Sequence, residues 1–272
     1  MKNKVYVLNL RGEKEPFSFS KVLKSAKNAG ASKELAFQIA KQIEKEVFEG
    51  VKTSEIFERI YQLLSEKSFS SAIRLNLKKA IERLGPTGFP FEKFVGKILE
   101  KEGFQIKLNQ EIPGFCTNYE IDFLAQKDNF LYIGECKFHH LPGGRIDLQV
   151  ALANYARFLD IEKGRFLNSG IKYKSLLVTN TKFTSKAIQY SRCVGVELLG
   201  WKYPAKGGLE SLIEKNELYP ITILPSVSQN LAKFLIEQKI ILAKDVLSKN
   251  FEKLNIAKKG VIFKEVRDLF NK

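Results

Sequence analysis

The chain has little of what staples or anchors a protein. Its three cysteines, Cys116, Cys136 and Cys193, are too few and too scattered for a disulfide framework or a CxxC zinc site. Its two histidines are adjacent, His139 and His140. Neighbours on a strand point to opposite faces, so the pair makes poor co-ligands for one metal and reads as loop residues near a site. No apolar run approaches the ~20 residues a membrane helix needs. Met1-Lys2-Asn3-Lys4-Val5 lacks the apolar stretch of a signal peptide, so a cytoplasmic protein with no membrane partner is expected. Internal repeats and low-complexity segments are absent. Acidic residues are the minority, 30 against 45 basic, which leaves a net charge of +15 over 272 residues. Such an excess favours a polyanionic partner, with nucleic acid first. Simple solubility is the plain alternative. The 44% hydrophobic content excludes a wholly disordered chain.

Pro/Gly punctuation divides the chain into three stretches: 1–85, 86–204 and 205–272. Their charges are +7, +4 and +4, so no stretch is a basic tail. Any nucleic-acid surface must therefore be assembled by folding. The first stretch opens with a strand-like run, Lys4-Val5-Tyr6-Val7-Leu8, ending at Arg11-Gly12. Helical patterns follow at Leu35, Ile39, Ile43 and Val47; at Ile56, Ile60, Leu63 and Leu64, with Thr53 or Ser54 as cap; and at Ile73, Leu77, Ile81 and Leu84. Gly85-Pro86-Thr87-Gly88 stops the last. The second stretch alternates. Helices are predicted at Phe91–Glu102, Asp147–Leu159 and Ser185–Cys193. Strands are predicted at Phe104–Leu108, Glu120–Ala125, Phe130–Phe138, Ser175–Thr179 and Val196–Trp201. That order implies a central sheet flanked by helices. In the third stretch, Leu231, Leu235, Ile240, Val246 and Leu247 predict two short helices and a tight turn.

The strongest chemical signal is Glu120-Ile121-Asp122 followed by Glu135-Cys136-Lys137. Lys127-Asp128-Asn129-Phe130 between them is a turn signal. In a hairpin centred between Asp128 and Asn129, opposing residue numbers sum to 257. Asp122 then faces Glu135, Glu120 faces Lys137, and all four side chains share one face. Carboxylates on a mostly apolar hairpin are costly without compensation. Asp122 and Glu135 offer hard oxygen ligands suited to Mg²⁺, or to Mn²⁺ in its place. A metal there polarises a scissile phosphate, and Lys137 stabilises the developing charge or orients the attacking water. A solvated salt-bridge ladder is the plain alternative.

This pattern, in this order of elements, resembles the PD-(D/E)xK nucleases, specifically the Mrr-like restriction endonuclease family. The resemblance covers residues 88–203. It includes Phe91-Glu92, Glu120-Ile121-Asp122, Glu135-Cys136-Lys137 and Val178-Thr179-Asn180-Thr181. It implies a catalytic set of Glu92, Asp122, Glu135 and Lys137, with DNA as substrate. It also implies a polar residue on the next helix, Gln149, with Asp147 as the alternative. On that helix Arg157 is expected to pair with Asp160 or Glu162, with a phosphate contact as the alternative.

Residues 3–84 resemble the ATP-cone, a regulatory nucleotide-binding domain. The match rests on Val5-Tyr6-Val7, Gly12, Glu15-Pro16-Phe17, Lys21, Ala29 and the turn from Thr53 to Ile56. The family usually carries a Lys-Arg-Asp-Gly type sequence where this chain has Asn9-Leu10-Arg11-Gly12. The resemblance implies ATP or dATP as effector, with Arg11 and Lys21 on its phosphates. Residues 218–250 resemble helix-hairpin-helix modules, though Glu237-Gln238-Lys239 lacks the usual glycine. Lys233, Lys239, Lys244 and Lys249 are the expected phosphate contacts; a helical cap or dimerisation element is the other reading.

The resulting expectation is an α/β multidomain chain. An ATP-cone-like helical bundle with a small hairpin comes first, then a mixed-sheet, restriction-endonuclease-like α/β/α core, then a small helical domain. Its function would be metal-dependent endonucleolytic cleavage of DNA, as a homodimer where both strands are cut. A nucleotide-responsive DNA-binding regulator without catalysis, or a structure-specific DNA or RNA nuclease, are the alternatives.

Overall fold

The computed structural model describes residues 5–9, 11–85, 87–141, 143–164 and 170–270. Lys4 of the expected first strand, Leu10 of the hairpin turn and Pro86 of the helix stop lie outside them. In chain order the elements are β1 (Tyr6–Leu8), β2 (Lys14–Pro16), α1 (Phe19–Asn28), α2 (Lys33–Glu46), α3 (Thr53–Lys67), α4 (Phe69–Leu75) and α5 (Leu77–Glu82). Then come α6 (Phe89–Lys101), β3 (Gln105–Pro113), β4 (Asn118–Lys127), β5 (Phe130–Lys137), β6 (Arg145–Ile146), α7 (Leu148–Lys163), β7 (Lys172–Thr179), β8 (Lys182–Phe183), α8 (Ser185–Val194) and β9 (Glu197–Leu199). The chain continues through α9 (Leu209–Asn216), α10 (Gln229–Glu237), α11 (Lys249–Lys253) and α12 (Lys259–Phe270).

These elements form two compact units. One gathers Met1–Lys78, Ile223–Ser226 and Leu254–Lys272; the other gathers Lys79–Thr222 and Val227–Lys253. The last stretch of sequence thus contributes to both.

In the first unit, β1 and β2 form the expected hairpin, with Val7 opposite Glu15. The helices bury the stripe their spacing dictates. Ile39, Ala40 and Ile43 of α2 pack with Ile60, Leu63 and Leu64 of α3, and with Val22 and Ala72. The expected cap on α3 is absent: Lys52 is the N-cap and makes no side-chain capping bond, while Thr53 is already helical. The helix expected across Ile73–Leu84 breaks at Asn76 into α4 and α5. α12 packs on α4, where Arg74 donates to the carbonyl of Leu269 at 2.9 Å.

The second unit is a mixed α/β core. Its five-stranded sheet has the order β3-β4-β5-β7-β9. The first three strands are antiparallel neighbours, and β5, β7 and β9 are parallel. β5 lies at the centre, where the direction of pairing changes. Most of its residues are buried, as a strand with neighbours on both sides requires. α6 begins at Gly88 with Pro90 in its first turn, a position where the missing N–H costs nothing. It buries Phe91, Phe94, Val95, Ile98 and Leu99. α7 crosses from β5 to β7. Asp147 caps it by accepting the Val150 amide, which gives Asp147 a structural role.

Candidate active site

The β4–β5 hairpin has the expected register. Lys127 opposes Phe130 and Phe123 opposes Gly134, each pair summing to 257. Pairing stops there, one residue short of Asp122 and Glu135. On the other side of β4, pairing with β3 skips Asn109, whose φ is +52°. Asp122 therefore stands where both ladders open. Its Oδ2 accepts the Cys136 amide at 2.7 Å, in place of a ladder bond.

Four of the predicted residues come together at this end of β5. Glu135 is buried at 5% exposure. One of its oxygens pairs with Lys137 Nζ and the other with Arg157 Nη1. Glu92 reaches in from the first turn of α6; its Oε1 would lie 3.0 Å from a Cβ at Gly88. Burial, then the charges of Asp122 and Glu135, raise the Glu92 carboxyl to about 7, while Lys137 opposes the rise. Burial, followed by Glu135, also raises Asp122; the Cys136 amide and Lys137 hold it back. Foremost through burial, the Cys136 thiol is pushed far up, so it stays protonated and is no nucleophile. Lys137 has 41% of its side chain accessible, with its ammonium paired to Glu135.

The parallel neighbour steadies this corner. Thr179 opposes Lys137 and donates its hydroxyl to the Lys137 carbonyl at 2.6 Å. Asn180 accepts from the His139 amide and donates to its carbonyl, which fixes the chain just past the lysine. His139 is thereby a structural part of the loop that follows β5.

The other predicted residues are exposed. Glu120 is exposed and opposes Glu111 of β3. Gln149 is exposed in the first turn of α7. Arg11 is exposed in the β1–β2 turn, where Asn9 Oδ1 accepts its amide. The Lys21 ammonium pairs with Glu15 at 3.2 Å.

Arg157 differs from the expectation. Its guanidinium meets Glu135, whereas Asp160 turns to the loop before β4 and accepts the Cys116 amide. Burial along α7 accounts for this. Ala151, Asn154 and Ile161 are the buried stripe of α7, and Arg157 lies at i+3 from Asn154 on that stripe. Asn154 itself donates to Ser175 of β7 at 2.7 Å.

Among the described residues no group of three or more His, Cys, Asp or Glu side chains is spaced to hold a metal ion. Asp122 and Glu135 are the pair of carboxylates that could supply oxygen donors at this corner. A pair of carboxylates suits Mg²⁺, which keeps several of its waters and takes few protein ligands.

The second unit is thus a mixed α/β domain with acids and a lysine gathered at the end of its central strand. The chain belongs to the AF1548-like family: residues 219–270 match the family described as AF1548-like, C-terminal. An uncharacterized protein of Archaeoglobus fulgidus is 41% identical over 160 residues, which are 59% of this chain and 87% of that one. The crystal structure of AF1548, a protein of unknown function, is 34% identical with a TM-score of 0.58, and covers 67% of this chain and 98% of its own. The MspJI restriction endonuclease in complex with a 27-mer oligonucleotide is 10% identical with a TM-score of 0.37, over 71% of this chain and 39% of that one. That last likeness is too distant to carry any argument. No helix among the described residues is long and apolar enough to cross a membrane.

Proposed function

We propose that the chain is a metal-dependent endonuclease of the PD-(D/E)xK type that hydrolyses phosphodiester bonds in DNA. One observation supports this above the rest. Asp122, Glu135 and Lys137 meet at one end of β5, Asp122 through the Cys136 amide and Glu135 through the Lys137 ammonium, and Glu92 of α6 lies close enough that Asp122 and Glu135 help raise its carboxyl. Asp122 and Glu135 would hold Mg²⁺ or Mn²⁺. When bound, the metal supplies Lewis-acid polarisation of the phosphate and a more acidic water. Lys137 places an ammonium against charge developing on the phosphate. Glu92, titrating near neutrality, is the acid suited to exchange a proton at working pH. Gln149, on the same helix as Arg157, is the auxiliary polar residue.

The finer reading is a restriction-type enzyme whose first domain senses ATP or dATP through Arg11 and Lys21. The Lys21–Glu15 pair is exposed, so a phosphate can take the place of the glutamate at little cost. Lys233, Lys239, Lys244 and Lys249 would add phosphate contacts from the C-terminal stretch. Cleavage of both strands would need two such sites, hence a homodimer. The competing reading is a DNA-binding regulator without catalysis. It draws on Glu135, both of whose oxygens are engaged by cations.

Plasmid DNA, methylated and unmethylated, separates the two. The expected result with Mg²⁺ or Mn²⁺ is cleavage that EDTA, Asp122→Ala and Lys137→Ala each abolish. ATP or dATP would change its rate. Wild-type protein that binds every substrate and cuts none is the regulator instead.

A further inference from the structure

A cavity of about 350 Å³ opens between the start of α6 and α10, wholly within the second unit. Leu84, Phe89, Pro90, Ala232 and Ile236 form its apolar wall. Phe89 is 44% exposed. Three cations edge the same space: Arg83, Lys93 and Lys233. A single acid, Glu237, lines it against them. The Lys93 ammonium lies 4.1 Å from the Phe89 ring centroid, so a positive charge and an aromatic surface are presented together. Arg83 deepens the imbalance. Its guanidinium donates to the carbonyls of Thr222 and Val227, both neutral groups. Burial lowers its pKa, and no carboxylate contributes to the shift. A half-buried cation with neutral partners leaves a positive potential that an anion would relieve.

We infer that this cavity binds one nucleotide, its base on the apolar wall beside Phe89 and its phosphate between the rim lysines. The volume is in the range of small-ligand pockets. Aromatic walls with adjacent cations are how bases and phosphates are held together without sequence readout. The nucleotide is either a unit of a nucleic-acid strand or a free mononucleotide; the chemistry recognised is the same. The cavity lining includes none of Glu92, Asp122, Glu135 and Lys137, and the inference does not depend on that corner being catalytic.

The test is binding by the full chain in EDTA, where metal-dependent cleavage is silent. The probes are a single-stranded oligothymidylate of about ten residues, dTMP, AMP and inorganic phosphate. Phe89→Leu keeps the apolar volume and removes the ring; it is expected to weaken nucleotide binding at least about fivefold. Lys233→Glu is expected to weaken it about tenfold or more, and to flatten the salt dependence. Lys41→Glu, an exposed lysine on α2, makes the same charge change elsewhere and is expected to do far less. Thermal melts check that each variant is folded. Binding of oligothymidylate alone assigns the cavity to a strand, and binding of dTMP or AMP assigns it to a free nucleotide. The inference is overturned if phosphate binds as well as dTMP, if Lys233→Glu and Lys41→Glu act alike, or if no probe binds at millimolar concentration. Loss of plasmid cleavage in Asp122→Ala with unchanged binding here would leave both conclusions standing separately.

Discussion

Asp122 accepts the backbone amide of Cys136 at 2.7 Å, across a strand pair whose ladder ends one residue earlier. The carboxylate thus substitutes for a missing sheet bond while facing Glu92 and Glu135. Two kinds of variant separate these duties. Asp122→Asn keeps an oxygen acceptor for the amide, so its stability should stay near wild type while cleavage disappears. Asp122→Ala leaves that amide unpaired and should cost about 1–3 kcal/mol in addition. Urea midpoints with matched plasmid assays read both effects.

Glu135 is a buried carboxylate held between Lys137 and Arg157. Removing Arg157 leaves one cation to balance it. Arg157→Ala is expected to destabilise by about 1–3 kcal/mol, below the full cost of a stranded buried charge because Lys137 remains. Glu135→Gln should recover part of this loss in the double variant. A double-mutant cycle by chemical denaturation measures the coupling, and independence of the two changes would refute it.

Glu92 has its carboxyl raised from 4.5 to about 7, through burial and the nearby acids. The folded chain therefore holds this proton more tightly than the unfolded chain. Below pH 4.5 both states are protonated and the group is neutral in effect. As pH rises from 4.5 to 7 the unfolded state gives up its proton first, so stability falls; above 7 the full loss persists. Glu92→Gln should consequently raise the melting temperature at pH 8 and leave it nearly unchanged at pH 4, both in EDTA.

Gly134 lies opposite Phe123 in the hairpin, and the ring covers it. A Cβ at this position would lie 2.1 Å from two ring carbons of Phe123, a side chain with 0% exposure. Gly134→Ala is expected to cost about 2–3 kcal/mol, because a packed core must move to admit the methyl. Phe123→Leu in the same chain should restore part of it. Equal denaturation midpoints for wild type and Gly134→Ala would sink this account.

Lys239 ends α10 with φ at +64°. Its amide reaches the Ile236 carbonyl and the Ile240 amide reaches that of Leu235, the two bonds of a Schellman cap. Glycine favours this conformation, and lysine is strained in it. Lys239→Gly should stabilise by about 0.5–1 kcal/mol, the gain being reduced by glycine's greater freedom when unfolded. The glycine missing from the expected hairpin is thus missing from the one position whose backbone calls for it.

Local patterns were readable where one period governed. The register of β4 and β5 followed from a turn signal and alternating side chains. The α6 stripe followed from apolar spacing. The strand expected at Phe104–Leu108 runs on to Pro113, because β4 supplies partners for its backbone. Thr53 looked like a cap by residue type, yet the chain enters α3 one residue sooner. Capping depends on backbone angles that residue type does not dictate.

The sequence by itself determined that Asp122, Glu135 and Lys137 lie on one hairpin face, since strand periodicity and a tight turn leave few registers; Glu120 and Lys137, expected to face each other, lie beyond the last paired residues. It also determined that the middle stretch alternates helices and strands. Tertiary structure alone decided that Arg157 meets Glu135, because α7 must cross the sheet before its inner stripe faces β5. Only there do Glu92 and Asp122 approach closely enough for burial and charge to lift a carboxyl toward neutrality. Net charge of +15 pointed to a polyanion from composition. Where that charge outnumbers its counter-charge, in the cavity lined by Arg83, Lys93 and Lys233 with Glu237, became visible only once segments far apart in the chain enclosed one space. Spacing along a chain is local, whereas burial and electrostatic coupling depend on distances that packing sets.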